Sequence, residues 1–221
     1  MNYTKKFEDL LNQLKDNPYI KVDTEFLSLS LDDEDIEDLK DYYKIREMPE
    51  SVLAFYRQMD GVEIEWHYEP NNGQNFLKKQ HNYDDLDYIK GVINIPNLGS
   101  LLNYDKFLDN WADTIIEEEK EDLFNFRHID DNDNNDWIRV GFIIENGAIT
   151  DKLYYLKSGS DGFCSLECTF AEYIDALIQA KGFVGWQQTF TIRKEELLRN
   201  NSSLFFYIPQ LFPGEKLDNF M

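Results

Sequence analysis

The sequence is short of the residues that build reactive centres. Its 221 residues include two cysteines and three histidines. A structural zinc site wants four thiolate or imidazole ligands at short spacings. Cys164, Cys168, His67, His81 and His128 show no CxxC, HxxxH or HExxH pattern, so no metal is expected. GxSxG, Walker and GxGxxG motifs are missing too, which removes the usual serine-hydrolase, phosphate-cradle and dinucleotide signatures and leaves no cofactor to expect. No apolar run approaches the roughly 20 residues of a membrane span. The opening MNYTKKFEDLLNQLKDNP surrounds its leucines with Glu8, Asp9, Asn12, Gln13 and Lys15, unlike a secretory leader, so a cytoplasmic location is expected.

Basic residues are scarce as well: 22 Lys and Arg face 43 Asp and Glu, a formal net charge of −21. Phosphate backbones and anionic lipid headgroups attract basic patches and repel such a surface, so nucleic acid and membrane are excluded as partners. A basic protein would instead be steered towards it. Acidity also keeps chains soluble, so charge alone does not decide between these roles. With 42% hydrophobic and 15% aromatic residues the chain has the apolar surface for a core, and no repeat or linker divides it. One domain over 1–221 is expected, with 190–221 a C-terminal extension.

The charge is uneven. Residues 1–60 carry a net −7, 61–136 carry −12, and 137–221 only −2. A first helix is predicted from Tyr3 to Asp16 by Phe7, Leu10, Leu11 and Leu14 on one stripe. A second covers DDEDIEDLKDYYK, capped by Ser30, with Asp32, Asp33 and Glu34 in the first turn where the helix dipole favours anions, and with Ile36, Leu39 and Tyr43 inward. Pro49 opens a third, carrying Val52, Phe55, Tyr56 and Met59 and closed by Gly61 as a left-handed cap. Alternation from Val62 to Leu77 around Asn71-Asn72-Gly73 predicts a hairpin, and GVINIPNL a short strand. Spacing of Phe107, Leu108, Trp111, Ile115 and Ile116 predicts a helix from Tyr104 to about Asp122.

Beyond the polar loop Asp130–Asp136 comes a meander: WIRVGFIIE, the turn Asn146-Gly147, AITDKLYYL, a Gly-Ser turn, and FCSLECT. Asn-Gly is a strong hairpin signal. Read on a strand, Cys164 and Cys168 lie roughly 13 Å apart and cannot bridge. Thr169 and Glu172 form a TxxE capping box for a helix bearing Phe170, Tyr173, Ile174, Leu177 and Ile178, with Gly182 past its end. The tail holds TIRKEELLR, read as helical, and then FFYIPQLFPG.

Asp131, Asp133 and Asn135 match the first ligands of an EF-hand loop, but its sixth and twelfth places hold Asp136 and Phe142 rather than Gly and Glu. A solvated turn is the better reading. Paired carboxylates could serve as acid and base, yet with 43 acids no spacing selects a pair. Trp66, Trp111, Trp137 and Trp186 are read as core anchors.

The order of segments is more telling than any motif. An N-terminal helix, MPESVLAFYRQMDGVEIEW, the strand INIPNL, FRHIDDNDNNDWIRVGFIIENG and LECTFAEYIDALIQAKGFVGWQ together resemble the SUKH superfamily, which groups bacterial toxin-immunity proteins with yeast Smi-type cell wall regulators. The likeness covers roughly residues 1 to 190, a domain-sized match. Its carriers are Pro49 with Asp60-Gly61 and the strand ending in Trp66, the meander after the Asp130 loop, and the capped helix with Phe170, Tyr173 and Leu177.

The resemblance implies an α+β fold, a mostly antiparallel twisted sheet with helices packed against it, and no enzyme. It further implies an immunity protein that neutralises a cognate toxin, often a nuclease. A nuclease's basic cleft can be occupied by carboxylates at phosphate-like positions. The expected partner is thus a basic toxin domain, and the expected contact surface is Glu117, Glu118, Glu119, Asp130, Asp131, Asp133 and Asp136. The helix-start acids Asp32, Asp33 and Glu34 are a second candidate. The alternatives are an intracellular scaffold or regulatory interaction module, and an unrecognised carboxylate enzyme.

Overall fold

The computed structural model describes residues 1–70, 76–79, 86, 89–103, 120–131, 138–157, 163–190, 203–217 and 220, with the side chains of 131 and 157 outside the description. The fold is α+β, helices packing on antiparallel sheets. The chain divides into two compact units of interleaved segments. One comprises Met1–Tyr3, Leu27–Val62 and Asn94–Tyr173, the other Thr4–Phe26, Glu63–Ile93 and Ile174–Met221.

In the first unit, helices α2 (Asp33–Tyr43), α3 (Glu50–Tyr56), α4 (Leu98–Leu102) and α5 (Lys120–Asn125) accompany a sheet of β4 (Phe126–Asp131), β5 (Ile138–Glu145), β6 (Ala148–Ile149), β7 (Tyr154–Lys157) and β8 (Cys164–Ser165). The strand order is β4-β5-β7-β8, with β6 beside β5, and every pairing among these strands is antiparallel. Strand β5 is the centre, and six consecutive residues, Ile138 to Ile143, are buried, as a strand covered on both faces requires. Tyr3, Phe55, Phe142 and Phe170 form one aromatic cluster, the Tyr3 and Phe170 rings each edge-on or tilted to Phe55 at 5.4 and 5.6 Å between centroids. Leu123, Phe126, Ile143 and Leu156 make a second apolar cluster.

The meander departs from its expected continuity at Asp151. Asn146 and Gly147, at φ 51° and 75°, make the predicted tight turn. The returning strand then breaks after Ile149 and resumes at Tyr154. Asp151 explains the gap: its carboxylate accepts hydrogen bonds from the Phe170 N–H at 2.8 Å and the Ser51 hydroxyl at 2.9 Å, so it leaves the ladder to hold a helix start. FCSLECT pairs only at Cys164–Ser165, because Glu167 takes a left-handed φ of 51° that ends the extended run. Both cysteines are free thiols.

Helix boundaries shift in the same way. Asp32, rather than Ser30, caps α2, its carboxylate accepting the Asp35 N–H at 2.9 Å. Helix α3 ends at Tyr56, short of Gly61; that glycine, at φ 112°, sits where a Cβ would meet the Ile95 carbonyl oxygen at 3.0 Å. Nearby, Asp60 accepts the Leu98 N–H at 2.7 Å. Burial dominates its titration, raising the carboxyl above its ordinary range against that hydrogen bond.

In the second unit, strands β1 (Ile20–Leu27), β2 (Val62–Tyr68) and β3 (Lys90–Ile95) form a sheet in that order. β2 alternates as its sequence predicts, with Val62, Ile64, Trp66 and Tyr68 buried. Helix α1 (Tyr3–Asp16) buries Phe7, Leu10, Leu11 and Leu14. Helix α6 (Phe170–Gln179), whose first turn belongs to the first unit and whose remainder to the second, opens with the predicted capping box: the Thr169 N–H donates to Glu172 at 2.9 Å, and the Glu172 N–H donates to the Thr169 hydroxyl at 3.3 Å. Gly182, at φ 63°, ends it with its N–H on the Leu177 carbonyl.

Past that cap, the Val92 N–H donates to the Gly182 carbonyl and the Val184 N–H to Lys90, covering the outer edge of β3. Helix α7 (Ser203–Leu211) buries Leu204, Tyr207, Ile208 and Leu211, so the tail belongs to this unit's core. The predicted turn Asn71-Asn72-Gly73, most of the helix from Tyr104, and TIRKEELLR lie outside the described residues.

Candidate protein-interaction surface

The acids of the expected contact surface do not all stand where a partner could reach them. Asp130 is a correction: it is 1% exposed and accepts the Tyr173 hydroxyl at 2.7 Å. The ladder shifts register between His128 and Asp130 as β4 crosses β5, and the irregularity accompanies this inward carboxylate. Asp131 ends β4, paired with Arg139, its side chain outside the description. Glu117, Glu118, Glu119, Asp133 and Asp136 lie outside the described residues.

The second candidate stands in full view. Asp32, Asp33 and Glu34 are exposed, and so are Asp35, Glu37, Asp38 and Asp41 further along the same helix. Helical spacing sorts these side chains. Ile36 is buried and Leu39 and Tyr43 half-buried on one side, with α4 packed against α2. Opposite them run two rows at i, i+4 spacing: Asp33, Glu37 and Asp41, and beside it Glu34, Asp38 and Tyr42. Tyr42 is 78% exposed, with its ring edge-on to Tyr43 at 4.9 Å between centroids. One helix thus presents seven carboxylates and an uncovered aromatic ring.

Few cations neutralise them. Lys40 donates to Glu37 at 2.7 Å, and Arg57 bridges Asp33 at 2.7 Å and Glu50 at 2.9 Å. The hydrogen bond to Asp33 leads the causes that raise the guanidinium further above its ordinary value. The carboxylates of these pairs are exposed, so the pairs add little to stability. Lys44, in a left-handed conformation at φ 59°, closes the helix.

The helix dipole rewards only the acids at its start. Asp33, Glu34 and Asp35 sit in the first turn, where carboxylates stabilise a helix. Asp38 stands midway along the helix, beyond the favourable first turn, and Asp41 in the last turn, where a negative charge is unfavourable. Like charges at i, i+4 cost about 0.2–0.5 kcal/mol per pair, and Asp33–Glu37, Glu37–Asp41 and Glu34–Asp38 are three such pairs. The distal acids therefore have no fold-level reason. Their signal in the sequence is seven acids in the ten residues from Asp32 to Asp41, and a helix-start role accounts only for the first of them.

Other candidate groups are structural. Trp66 and Trp186 are fully buried, while Trp111 and Trp137 lie outside the described residues. His67 pairs with Asp23 at 2.5 Å on the sheet of the second unit. Cys168 is held far from reactivity: burial first, then the carboxylates of Glu172, Asp151 and Glu167, push its thiol up to about 12. Among the described residues no group of three or more His, Cys, Asp or Glu is placed to hold a metal ion, and no helix is long and apolar enough to cross a membrane. No protein-family model matches the chain, and no curated protein is a significant match.

Proposed function

We propose that this chain is a non-enzymatic, SUKH-like binding protein that acts in the cytoplasm as an immunity protein, occupying the basic cleft of a nuclease-type toxin. The observation that carries the reading is the exposed face of α2: carboxylates along the whole helix, Asp41 in the last turn where it opposes the dipole, running up to the uncovered ring of Tyr42 near the C-terminal end. Charges that cost folding energy yet stand together on one surface are explained by electrostatic attraction to a partner. Such a face raises the rate of encounter by steering, and the exposed aromatic ring at its end supplies an anchor that a partner can bury to slow dissociation. The net charge of −21 extends the field around it.

The test is association with the basic product of the adjacent open reading frame, followed by stopped flow across ionic strength. The rate should fall steeply as salt rises, and the triple variant Glu34→Gln, Asp38→Asn, Asp41→Asn should slow it by about tenfold at low salt. Stoichiometric chain should also silence the toxin's nuclease activity. A neighbouring toxin that stays fully active in excess chain ends the proposal; binding without loss of toxin activity would favour the scaffold or regulatory module.

A further inference from the structure

A cleft of about 620 Å³ opens in the second unit, away from α2 in sequence and built from the end of α1, the residues before β1, Phe76 and the segment that follows α7. Its size is that of a small-ligand or side-chain pocket. Its walls are tied down from several directions. The Asn17 side chain donates to the Leu211 carbonyl at 2.7 Å while accepting the Tyr19 N–H at 3.0 Å. The Phe76 N–H donates to the Tyr68 hydroxyl at 2.7 Å, and the Lys78 N–H to Gln210 at 2.9 Å. Those amides are spent on the walls, so they shape the cleft without offering themselves to a ligand.

What remains is aromatic and anionic. Tyr19 and Phe76 stack at 4.5 Å between centroids, 14° from parallel, and Phe76 is 46% exposed. Phe212 and Pro213 extend the apolar lining. Asp16 is exposed on the rim, and Glu215 lines the cleft with one oxygen on Lys181 at 2.8 Å. No Lys or Arg is among the described residues that line it. One wall already shows the chemistry: the Lys181 ammonium lies over the Phe212 ring, 5.4 Å from its centroid, while bonded to Glu215.

We propose that this cleft receives an arginine side chain of a basic protein partner, the guanidinium stacking on the Tyr19–Phe76 pair and donating to Asp16 and Glu215. A guanidinium is planar, stacks on aromatic faces and donates a forked pair of bonds to a carboxylate, so it meets both features of the cleft at once. A lysine ammonium offers only the point charge. The inference rests on the immunity-type reading for the source of the arginine, but uses a surface separate from α2 in the chain.

The experiment titrates the full chain with blocked tri-arginine and tri-lysine peptides, read by calorimetry and by amide shifts in nuclear magnetic resonance. Tri-arginine should bind at least about threefold more tightly than tri-lysine, with Phe76→Ala weakening it about five- to tenfold and Asp16→Asn about fivefold. Glu145→Gln, an exposed carboxylate at the end of β5 that belongs to neither surface, should change it by less than about twofold. Equal binding of the two peptides, or equal weakening by Asp16→Asn and Glu145→Gln, would show diffuse charge attraction alone and overturn the proposal. Both substituted cleft residues are exposed, and an unchanged melting temperature confirms their folding. If the toxin binds and tri-arginine does not, the cleft assignment fails and the immunity reading stands. If tri-arginine binds through Phe76 and Asp16 and no toxin binds, the cleft assignment stands and the immunity reading fails.

Discussion

Gly91 offers the sharpest test of the second unit's packing. It lies in β3 with no left-handed backbone to demand glycine, so only space explains it. A Cβ at this position would stand 2.2 Å from Trp66 Nε1, 2.5 Å from Cε2 and 2.6 Å from the Lys181 carbonyl oxygen. Those are the two ends of a buried hydrogen bond, the indole N–H donating to Lys181 at 2.7 Å. Gly91→Ala must therefore tilt the indole and part this pair. Overpacking a core costs about 1–3 kcal/mol, and a buried donor left unsatisfied about 1–3 kcal/mol more. The sum, about 2–6 kcal/mol, is a large share of a typical stability of about 5–15 kcal/mol. Urea unfolding should show a much lower midpoint at an unchanged slope. Combining it with Trp66→Phe, which shortens the ring and removes the donor, should recover at least about 1 kcal/mol relative to the sum of the single changes. A loss below about 1 kcal/mol for Gly91→Ala, or strict additivity in the double variant, would refute the steric argument.

Three further outcomes concern a helix cap, a half-buried carboxyl and the two thiols. Thr169→Ala should destabilise by about 1 kcal/mol through loss of the α6 cap; the backbone and hydroxyl hydrogen bonds from Thr169 hold the Glu172 carboxyl below its ordinary value. That contribution is present above the unfolded value of 4.5 and disappears as pH falls through the folded one, so the deficit of Glu172→Gln should shrink in acid, and a pH-independent deficit in thermal melts would contradict it. Asp60 has the opposite sign: its raised carboxyl favours the fold when protonated and loses that contribution as pH rises, so Asp60→Asn should gain melting temperature relative to the parent between about pH 4 and about pH 7. A relative loss would count against burial as the dominant cause. Alkylation with iodoacetamide near neutral pH should label exposed Cys164 well before Cys168, whose thiol is pushed up to about 12, as peptide mass spectrometry can check; equal rates would contradict that assignment.

Much of the fold is legible in short stretches of sequence because its signals are local. The stripe of Phe7, Leu10, Leu11 and Leu14, the alternation of β2, the Asn146-Gly147 turn and the Thr169–Glu172 box each depend on residues within a few positions of one another, and each stands where the pattern predicts. Asp151 escapes such reading: nothing beside it shows that its carboxylate will be drawn to the N–H of Phe170, 19 residues away, and interrupt a strand. Asp130 escapes for the same reason, since an acid in a polar stretch looks solvated until Tyr173 is placed over it. The acids of α2 are visible as composition, but only their common exposure on the face opposite Ile36, with Tyr42 at its end, marks them as a surface.

Sequence by itself determined the charge of −21, the absence of catalytic signatures, and the amphipathic stripes and turns of individual helices and strands. These are properties of composition and of neighbours along the backbone, where the physics acts over one or two turns. Tertiary structure decided which carboxylates are buried and which exposed, that Gly91 must yield its volume to Trp66, and that Tyr19, Phe76 and Glu215 share one cleft. Such facts depend on contacts between residues far apart in the chain, and burial, hydrogen bonding and packing exist only once the chain has brought them together.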